Sequence, residues 1–399
     1  MKSKIPKLRF PKFNDRWNTK KISEIGKIIT GSTPSTSREE YYNGNKQFVS
    51  PIDINDSRYV EDTKTKLTEL GFNKGRFIRP FSILFVCIGS TIGKVAQNKQ
   101  GCITNQQINS IVPHDEFDCD FIFTLLEKYS SKIKMLAATQ AVPIINKSTF
   151  AKVKLALPTF PEQQKIASFL TAVDDKIQQL TKKKELLEKY KKGVMQKIFP
   201  STSSGQAPEI RFKPALSGAE VDDDGNDYPD WERKKLGDLL DYIQPTDFIV
   251  NSTEYEDSNK IPVLTAGKTF ILGYTNEEFG VFEEPLPVII FDDFTTANQF
   301  VDFKFKVKSS AMKILIAKEH VNIKFVYEAM QMIHFSLGGE HKRFWISEYQ
   351  FNKVKVPTSE EQQKIADFLS SIDKKIDSVN TQLEKTKEFK KELLQQMFV

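Results

Sequence analysis

One six-residue motif, Glu-Gln-Gln-Lys-Ile-Ala, occurs twice in this 399-residue chain and constrains its fold more than any other feature. The first copy begins at Glu162 and the second at Glu361, 199 residues later (361 − 162). The same offset relates a Pro-Thr turn before each copy, and it also relates Phe199 to Phe398. Because one register persists from the turn to these phenylalanines, the sequence predicts two halves built on one plan.

A second pair of landmarks defines the region before each motif. Trp17 is followed by Lys-Lys-Ile and Trp231 by Lys-Lys-Leu at the same spacing, with an offset of 214 (231 − 17). The two offsets differ by 15 residues (214 − 199), so the second lobe is shorter than the first. Residues 200–230 contain Ser-Thr-Ser-Ser-Gly and Asp-Asp-Asp-Gly, which are typical of a linker. The predicted domains are a first lobe at 1–158, a helix at 159–199, a linker at 200–230, a second lobe at 231–357 and a helix at 358–399.

The stretch after each Pro-Thr turn has the pattern of a long helix. Apolar residues recur at alternating steps of four and three, which is a heptad stripe. At 1.5 Å per residue, about 38 residues give roughly 57 Å of helix, which must bury its stripe. Two matching stripes in one chain favour pairing with each other, antiparallel if the halves are related by a pseudo-twofold. Packing of each helix on its own lobe or on another subunit is the alternative. The predicted seam residues are Ile166, Leu170, Val173, Ile177, Leu180, Ile365, Leu369, Ile372, Ile376 and Val379.

Composition narrows the class of protein without deciding it. A formal net charge of +6 tolerates an anionic partner but does not require one. The three cysteines form no Cys-x-x-Cys pair, which argues against a zinc ribbon and indicates a reducing compartment. The first ten residues do not resemble a signal peptide, and no apolar run is long enough to cross a bilayer. We therefore expect a cytoplasmic protein without a membrane segment.

Both lobes are predicted to be mixed α/β, and their loops are rich in side chains that recognise nucleic acid. Asn and Gln pair bidentately with adenine and Arg with guanine, whereas Lys contacts phosphates. For each residue taken singly, an ordinary polar loop is the alternative interpretation. The candidate DNA-contacting residues are Thr33, Ser35, Thr36, Arg38, Lys46, Lys94, Asn105, Gln106, Gln107, Thr139, Gln140, Lys147, Thr265, Lys268, Thr269, Thr295, Thr296, Lys313, His341, Lys342 and Arg343.

Motifs for catalysis are missing or incomplete. The segment from Gly89 to Val95 resembles a phosphate-binding loop, but it is one residue short and has no Ser or Thr after its lysine. A turn at a strand end is the better interpretation. Asp292 and Asp293 follow an apolar run and are the kind of pair that a magnesium-dependent nuclease uses, but no Glu-x-Lys follows them. We predict no catalytic residue and no metal site, and we keep a nuclease at Asp292 and Asp293 as the alternative.

The order of these features resembles the specificity (S) subunits of type I restriction-modification enzymes over nearly the whole chain. The duplicated helix after Leu-Pro or Val-Pro is the most specific element. The residues that carry the resemblance are Trp17, Ile22, Gly31–Pro34, Ile83–Phe85, Gly89–Gly93, Asn105, Gln106, Leu157, Pro158, Val356, Pro357 and both copies of the motif.

The resemblance implies an α/β (α+β) fold of two mixed α/β target-recognition lobes, joined and separated by two long helices that pair as an antiparallel coiled coil. It implies a non-catalytic subunit of a bacterial or archaeal cytoplasmic complex. Each lobe then reads one half of a split, asymmetric double-stranded DNA site. The implied partners are two methyltransferase (M) and two restriction (R) subunits, which use S-adenosylmethionine, ATP and Mg²⁺.

One departure from the family pattern concerns the second lobe. It has no evident counterpart of Gly31–Pro34 near Ile243–Val250. No base contact is carried over from the family, because recognition residues differ among its members. A structural adaptor whose coiled coil binds only proteins is the remaining alternative.

Overall fold

The computed structural model of the chain describes residues 5–55, 57–137, 142–199, 207–212, 229–265, 269–336 and 343–399. It divides into two compact units, one made of Met1–Lys184 with Val379–Val399 and the other of Glu185–Ser378. Each unit contains one lobe and portions of both long helices. This division differs from the sequence-based domains because each long helix contributes to both units. In the described residues, no helix is long and apolar enough to span a membrane.

The first lobe is a layered α/β structure built on a five-stranded sheet. Its elements are β1 (Asn18–Lys21), α1 (Ile22–Ile25), β2 (Gly26–Thr30), β3 (Tyr42–Val49), β4 (Tyr59–Val60), β5 (Thr65–Leu67), α2 (Glu69–Phe72), β6 (Ile83–Val86), β7 (Val95–Asn98), β8 (Ile103–Thr104), β9 (Ile108–Pro113), α3 (Cys119–Lys134), α4 (Lys147–Ala151) and β10 (Lys154–Leu157). The large sheet has the order β2-β9-β6-β7-β4, a second sheet has the order β5-β3-β8, and β1 pairs with β10.

The core of this lobe lies between the large sheet and α3. All four residues of β6 are buried, as a run of Ile, Leu, Phe and Val in a central strand requires. Helix α3 begins where the Asp118 carboxylate accepts a hydrogen bond from the backbone N–H of Phe121, at 2.9 Å. Its buried face joins Phe85 and Ile111 of the sheet in one apolar cluster.

The second lobe repeats this plan with fewer strands. Its elements are β11 (Glu232–Lys235), α6 (Leu236–Leu239), β12 (Leu240–Ile243), β13 (Ile261–Leu264), β14 (Ile271–Thr275), β15 (Val288–Asp292), β16 (Asn298–Val301), β17 (Lys306–Val307), β18 (Met312–Ala317), α7 (Ile323–Met330), α8 (Phe344–Ser347) and β19 (Lys353–Val356). The larger sheet has the order β12-β18-β15-β16, the smaller has the order β14-β13-β17, and β11 pairs with β19. The described part of this lobe has no counterpart of β4.

The 15 missing residues are located by comparing equivalent positions. The entry strands still differ by 214 residues, because β1 starts at Asn18 and β11 at Glu232. The caps of the lobe helices, Asp118 and Asn322, differ by 204 (322 − 118). The two motifs differ by 199. Most of the difference in length therefore lies before the lobe helix, in the region where the first lobe carries β4.

The long helices are α5 (Phe160–Ile198) and α9 (Ser359–Gln396), with 39 and 38 residues. In the first unit, Lys184 Nζ lies 2.7 Å from Asn380 Oδ1. In the second unit, Lys191 Nζ lies 2.7 Å from Asp373 Oδ1. The residue numbers in each pair add up to 564, which is the signature of antiparallel packing in one register. The expected fold class, two mixed α/β lobes with two long helices that pack together, is confirmed.

The seam of this helix pair is apolar and shielded from solvent. Eight of the ten predicted seam residues are buried, each exposing 9% or less of its surface. Ile177 and Ile376, which occupy equivalent positions, are half-buried. The heptad stripe of each helix therefore faces into its unit, which is where an amphipathic helix gains most of its stability.

Candidate nucleic-acid interface

The first residue of the repeated motif is a buried glutamate, and it anchors the start of each long helix through an ion pair with an arginine. Glu162 is fully buried and accepts two hydrogen bonds from the Arg9 guanidinium, both at 2.7 Å. Glu361 makes the equivalent bidentate contact with Arg211, at 3.1 and 2.7 Å. A planar guanidinium matches a carboxylate in this geometry and holds it firmly in orientation. Sequence reasoning missed both arginines, although each begins an Arg-Phe pair, at 9–10 and 211–212.

The first glutamine of the motif joins the same helix to two other elements of the lobe. The Gln163 amide donates to the carbonyl of Pro158 at 3.0 Å and accepts from the backbone N–H of Asp118 at 3.1 Å. Gln362 repeats both contacts, with Pro357 at 3.0 Å and Asn322 at 2.9 Å. Each glutamine therefore fixes the start of the long helix against the start of the lobe helix. The glutamate and the first glutamine of the motif therefore have a structural role, which is to hold the lobe on the long helix.

Three aromatic rings complete the attachment in each unit. In the first unit, Phe398 packs on Phe121 and Trp17, with ring centroids 5.6 and 6.0 Å apart. In the second unit, Phe199 packs on Phe325 at 5.5 Å, and Phe325 on Trp231 at 5.8 Å. Because Phe199 and Phe398 follow the ends of α5 and α9, each lobe also holds the end of the helix that belongs to the other half.

The loops of the first lobe converge at one edge of its sheet. The backbone N–H of Ser32 donates to the carbonyl of Thr104 at 2.8 Å, and that of Asn105 to the carbonyl of Val49 at 2.9 Å. Gly31 is required there, because a Cβ at this position would lie 2.0 Å from the carbonyl oxygen of Asn105. The loops after β2 and β8, which lie far apart in sequence, are thereby held together.

Several predicted DNA-contacting residues occupy this edge. The exposed Thr33 hydroxyl donates to the exposed Gln106 side chain at 2.6 Å. The amides of Asn105 and Gln107 are bonded to each other at 2.9 Å and are partly buried. Of the three consecutive amides, Gln106 is therefore the one most exposed to solvent. Ser35, Thr36 and Arg38 are exposed on the loop that carries Thr33, whereas Thr139 and Gln140 lie outside the described residues.

Two of the three lysines predicted to contact phosphate in the first lobe, Lys46 and Lys94, already have protein partners. Lys46 pairs with Glu69 at 2.9 Å, with both side chains substantially exposed. The Lys94 ammonium donates to the carbonyl of Ile54 at 2.8 Å. This bond steadies the turn between β6 and β7, where Gly89 and Gly93 have positive φ angles. The segment that resembles a phosphate-binding loop is this strand-connecting turn. Lys147 is exposed at the start of α4.

In the second lobe, the predicted threonines shape turns. The Thr265 hydroxyl donates to the carbonyl of Thr269 at 2.9 Å within the β13–β14 connection. The Thr295 hydroxyl donates to the Asp292 carboxylate, and Thr296 has a positive φ of 59°. Arg343 is exposed immediately before α8. Lys268, His341 and Lys342 lie outside the described residues.

The structure corrects the prediction made for Lys313. This side chain is 0% exposed and therefore has no access to a phosphate. Its ammonium lies 3.6 Å from the buried Asp293 carboxylate and donates a hydrogen bond to the Gln244 side chain at 2.9 Å. Burial lowers the pKa of Lys313, and the charge of Asp293 opposes that change. The prediction failed because β18 is buried on both faces, so its lysine has no solvent-facing side.

The Asp292 and Asp293 carboxylates are engaged in holding the local backbone. Asp292 accepts hydrogen bonds from the backbone N–H of Phe294 and from the Thr295 hydroxyl. Asp293 accepts one from the backbone N–H of Trp345 at 2.9 Å. Within the described residues, no three His, Cys, Asp or Glu side chains are grouped closely enough to hold a metal ion. The geometry gives the nuclease alternative no support.

The chain thus contains two α/β lobes, each held on the long helices by equivalent glutamate and glutamine contacts and each presenting polar loops. Residues 14–189 and 228–388 match the family described as "Type I restriction modification DNA specificity domain". Since the match covers most of the chain, this protein belongs to that family.

Curated relatives carry corresponding names. The type I restriction enzyme EcoR124I/EcoR124II specificity subunit of Escherichia coli is 47% identical over 141 residues, which are 34% of this chain and 35% of that one. The MjaIX specificity subunit of Methanocaldococcus jannaschii is 30% identical over 232 residues, 56% of this chain and 51% of the relative. These matches span between a third and about half of the relatives' length. The MjaVIII specificity subunit of the same organism is 24% identical over 97% of this chain and 92% of its own.

A solved structure supports the architecture. The S subunit of a type-I restriction-modification system from M. genitalium has a TM-score of 0.70 to this chain, with 16% sequence identity. The similarity covers 99% of both chains. The fold of this chain is therefore a known one.

Proposed function

We propose that this chain is the DNA specificity subunit of a type I restriction-modification complex, with each lobe recognising one half of a split site. The observation that carries the proposal is the contrast between identical anchors and different loops. Glu162 with Gln163, and Glu361 with Gln362, make the same contacts in the two units. A protein that reads two different half-sites from one frame needs that combination.

The exposed edge of the first lobe has the chemistry for this task. Thr33, Gln106 and Arg38 present hydroxyl, amide and guanidinium groups to solvent. Such groups make direct contacts with base edges in the major groove of DNA, while lysines and backbone N–H groups position the duplex. The second lobe presents Thr269 and Arg343 among the residues described there.

The chemistry of the complex belongs to its partner subunits in this proposal. Methyltransferase subunits use S-adenosylmethionine, restriction subunits use ATP and Mg²⁺, and two copies of each assemble with this chain in the cytoplasm. The paired helices serve as the spacer between half-sites and as a docking surface for the methyltransferases. The names of the relatives, all specificity subunits of type I restriction enzymes, support this assignment.

The deciding experiment maps methylation by the complex of this chain with its methyltransferase subunits. We expect a single bipartite, asymmetric motif with a spacer of fixed length. Gln106→Ala combined with Arg38→Ala should relax or abolish recognition of one half-site and leave the other intact. Glu360→Gln with Lys364→Met, a partly exposed pair within α9, is the matched control and should leave the motif unchanged. DNA binding without sequence preference would refute the proposal and favour the protein-binding adaptor.

Spacer length offers an independent test. Four residues inserted in register into both helices add about 6 Å, which should lengthen the preferred spacer by about two base pairs. A spacer that keeps its length would exclude the role of the helices as a ruler, even if the lobes still read DNA.

A further inference from the structure

A cluster of charged side chains interrupts the apolar seam in the first unit. The Lys390 ammonium on α9 lies 2.7 Å from the Asp174 carboxylate on α5 and 2.6 Å from that of Glu127 on α3. Arg58 contacts Asp174 at 3.2 Å and Asp120 at 2.6 Å. Lys390, Asp174 and Arg58 expose 12% or less of their side chains. Three elements of the unit therefore meet through buried charges.

A corresponding cluster occupies the second unit. Lys191 on α5 lies 2.7 Å from Asp373 on α9 and 3.0 Å from Glu328 on α7. Lys324 contacts Glu328 at 2.8 Å and Asp373 at 2.9 Å. Lys191 and Asp373 stand 199 residues from Lys390 and Asp174 respectively. The lysine–aspartate pair that crosses between the long helices is thus present in both halves.

One member of each pair, Lys390 and Asp373, is held in its charged form by its neighbours. Burial alone lowers the pKa of Lys390, but the neighbouring carboxylates of Glu127 and Asp174 outweigh it and raise the pKa. Burial raises the pKa of Asp373, but hydrogen bonds from Lys191 and Lys324 lower it below its ordinary value. Each member of the two pairs also has a second opposite charge nearby: Asp174 contacts Arg58, and Asp373 contacts Lys324.

The apolar part of the seam discriminates weakly between registers. A heptad stripe repeats every seven residues, so a slip of α9 by one heptad again places apolar residues opposite apolar ones. The charged pairs repeat only in part: in one slipped register Lys184 would face Asp373, but Asp174 would then face Leu383. After such a slip Lys191 would face Ala366 or Asn380, and Lys390 would face Ala167 or Thr181. Either one-heptad slip therefore separates Lys191 from Asp373 and Lys390 from Asp174, and neither slip forms two lysine–aspartate pairs.

We propose that the Lys191–Asp373 and Lys390–Asp174 pairs are positioning residues that determine the register of the two long helices. Their main contribution is the choice of one register rather than stability. If the helices act as the spacer of the proposed function, the same pairs set its length, since a slip of one heptad displaces one helix by about 10 Å. The competing explanation is that the terminal Phe199 and Phe398 anchors alone set the register.

The test replaces both pairs with apolar residues in the full-length chain: Lys191→Met, Asp373→Leu, Lys390→Met and Asp174→Leu. Glu127→Gln is added, because Lys390→Met removes the counter-charge of Glu127. Buried ion pairs are often replaced by apolar residues without loss of stability. We therefore expect the thermal midpoint to be maintained or raised. The register is measured separately, with a short thiol-specific cross-linker.

Two cysteine pairs report the register. Lys184→Cys with Asn380→Cys reports the native register, in which these side chains touch, and Lys184→Cys with Lys387→Cys reports a one-heptad slip. Cys119→Ser removes the half-buried thiol. Burial raises the pKa of Cys87 to about 11 and that of Cys102 to about 12, so both stay unreactive at neutral pH.

In the otherwise unaltered chain, only the native pair should cross-link efficiently. In the apolar variant, we expect cross-linking of the slipped pair to rise by about tenfold or more. Glu360→Gln with Lys364→Met removes one ion pair within α9 and should leave both yields unchanged. A folded apolar variant that keeps the native pattern would overturn the proposal and assign the register to the phenylalanine anchors. If the apolar variant fails to fold, Lys191→Met with Asp373→Leu alone is tested for the same shift.

Methylation by the complex separates this inference from the proposed function. Absence of sequence-specific methylation with the unaltered chain contradicts the proposed function and leaves the cross-linking result intact. Methylation of one motif with a single spacer by the unaltered chain, but loss or spread of the spacer in a variant with slipped helices, is the result that we expect.

Discussion

The two lobes place different chemistry at the same buried position. In the first lobe, the Cys87 thiol is hydrogen-bonded to the Asn109 side chain, and in the second an Asp293 carboxylate accompanies the Lys313 ammonium. The positions are equivalent, because the carbonyls of Cys87 and Asp293 accept backbone bonds from Ile145 and Phe344, which lie 199 residues apart. All four side chains are buried. The lobe interior therefore accepts either a neutral or a charged pair, provided that the two members satisfy each other.

The anchors of the long helices show the opposite behaviour. Arginine, glutamate and glutamine make the same contacts in both units, with equivalent atoms and similar distances. Any change in an anchor alters how a lobe is held on the helices, whereas a matched change inside a lobe alters only that lobe. The contacts between lobe and long helix therefore require particular residues, while the interior of a lobe requires only that its paired side chains complement each other.

The largest effect is expected from breaking an anchor. Glu162→Ala removes a fully buried carboxylate and leaves the mostly buried Arg9 side chain without it, and Glu361→Ala does the same to the partly exposed Arg211. Loss of one partner from such a buried pair costs about 3–5 kcal/mol of unfolding free energy. Denaturant unfolding of the full chain measures it. Glu360→Gln, on an exposed side chain, is the control and should cost less than about 0.5 kcal/mol.

The two anchor variants also test whether the halves are equivalent. Arg211 is more exposed than Arg9, at 26% against 11%, but Glu361 also accepts a hydrogen bond from the Trp231 indole. We expect these differences to offset each other in part. A cost below about 1 kcal/mol in either lobe would show that its anchor is dispensable.

The second prediction exchanges the interior pairs. Asp293→Cys alone leaves Lys313 buried without its counter-charge and should cost about 3 kcal/mol. Adding Lys313→Asn installs the neutral pair of the first lobe and should recover most of that loss. A double-mutant cycle on unfolding free energy measures the coupling. Additive costs would show that the two side chains do not depend on each other, and the argument from complementarity would fail.

A pH-dependent contrast concerns Glu277, which supports a loop of the second lobe. Burial raises the pKa of this carboxyl, but hydrogen bonds from Lys306 and from the backbone of Ser252 and Asn251 lower it to about 2. Because its folded pKa is depressed, the stabilisation is present above the ordinary value and disappears as pH falls towards 2. Glu277→Gln should cost about 2 kcal/mol at neutral pH, since Lys306 is buried.

The measurement compares unfolding of the variant and the unaltered chain between pH 7 and pH 2.5. The difference should narrow with acidity, and a constant difference would mean that the charge of Glu277 has no part in it. Glu61→Gln is a control in the first lobe, since Glu61 contacts Lys99 and Gln178 at an exposed site. Its cost should stay below about 1 kcal/mol.

The sequence predicted the frame well because the frame is periodic. A constant offset and a heptad stripe can both be read directly from the sequence, and together they locate both long helices and their buried faces. Arg9 and Arg211 were missed because their partners lie about 150 residues away in sequence, at Glu162 and Glu361. The repeated Arg-Phe pair was the available signal.

The candidate interface was harder to predict. Whether a polar loop residue is free or bonded depends on contacts between distant segments, as with Lys94 and Ile54. Lys313 was assigned to the surface by residue type alone, although Met312, Ile314 and Leu315 around it indicate a strand buried on both faces. Its partner Asp293 follows β15, and only the pairing of β15 with β18 brings the two side chains together.

The smallest expected change in unfolding free energy is at the N-terminal caps of the lobe helices α3 and α7, where the two lobes have the most similar contacts. Asp118 and Asn322 each accept a hydrogen bond from a phenylalanine N–H at 2.9 Å, and each donates its own N–H to a motif glutamine. Replacement by alanine removes the side-chain bonds, which for Asn322 include an exposed bond to Gln363 at 2.8 Å, whereas the backbone bond to the glutamine remains. Each variant should lose about 1 kcal/mol of unfolding free energy. Asp118→Ala should lose a few tenths more, because a carboxylate also favours the positive end of the helix dipole. Because the two capping bonds have similar geometry, the losses of unfolding free energy should be similar in the two lobes. A loss several times larger in one lobe would show that the two caps contribute unequally to the stability of the chain. The two lobes would then share the same contacts but not the same energetics.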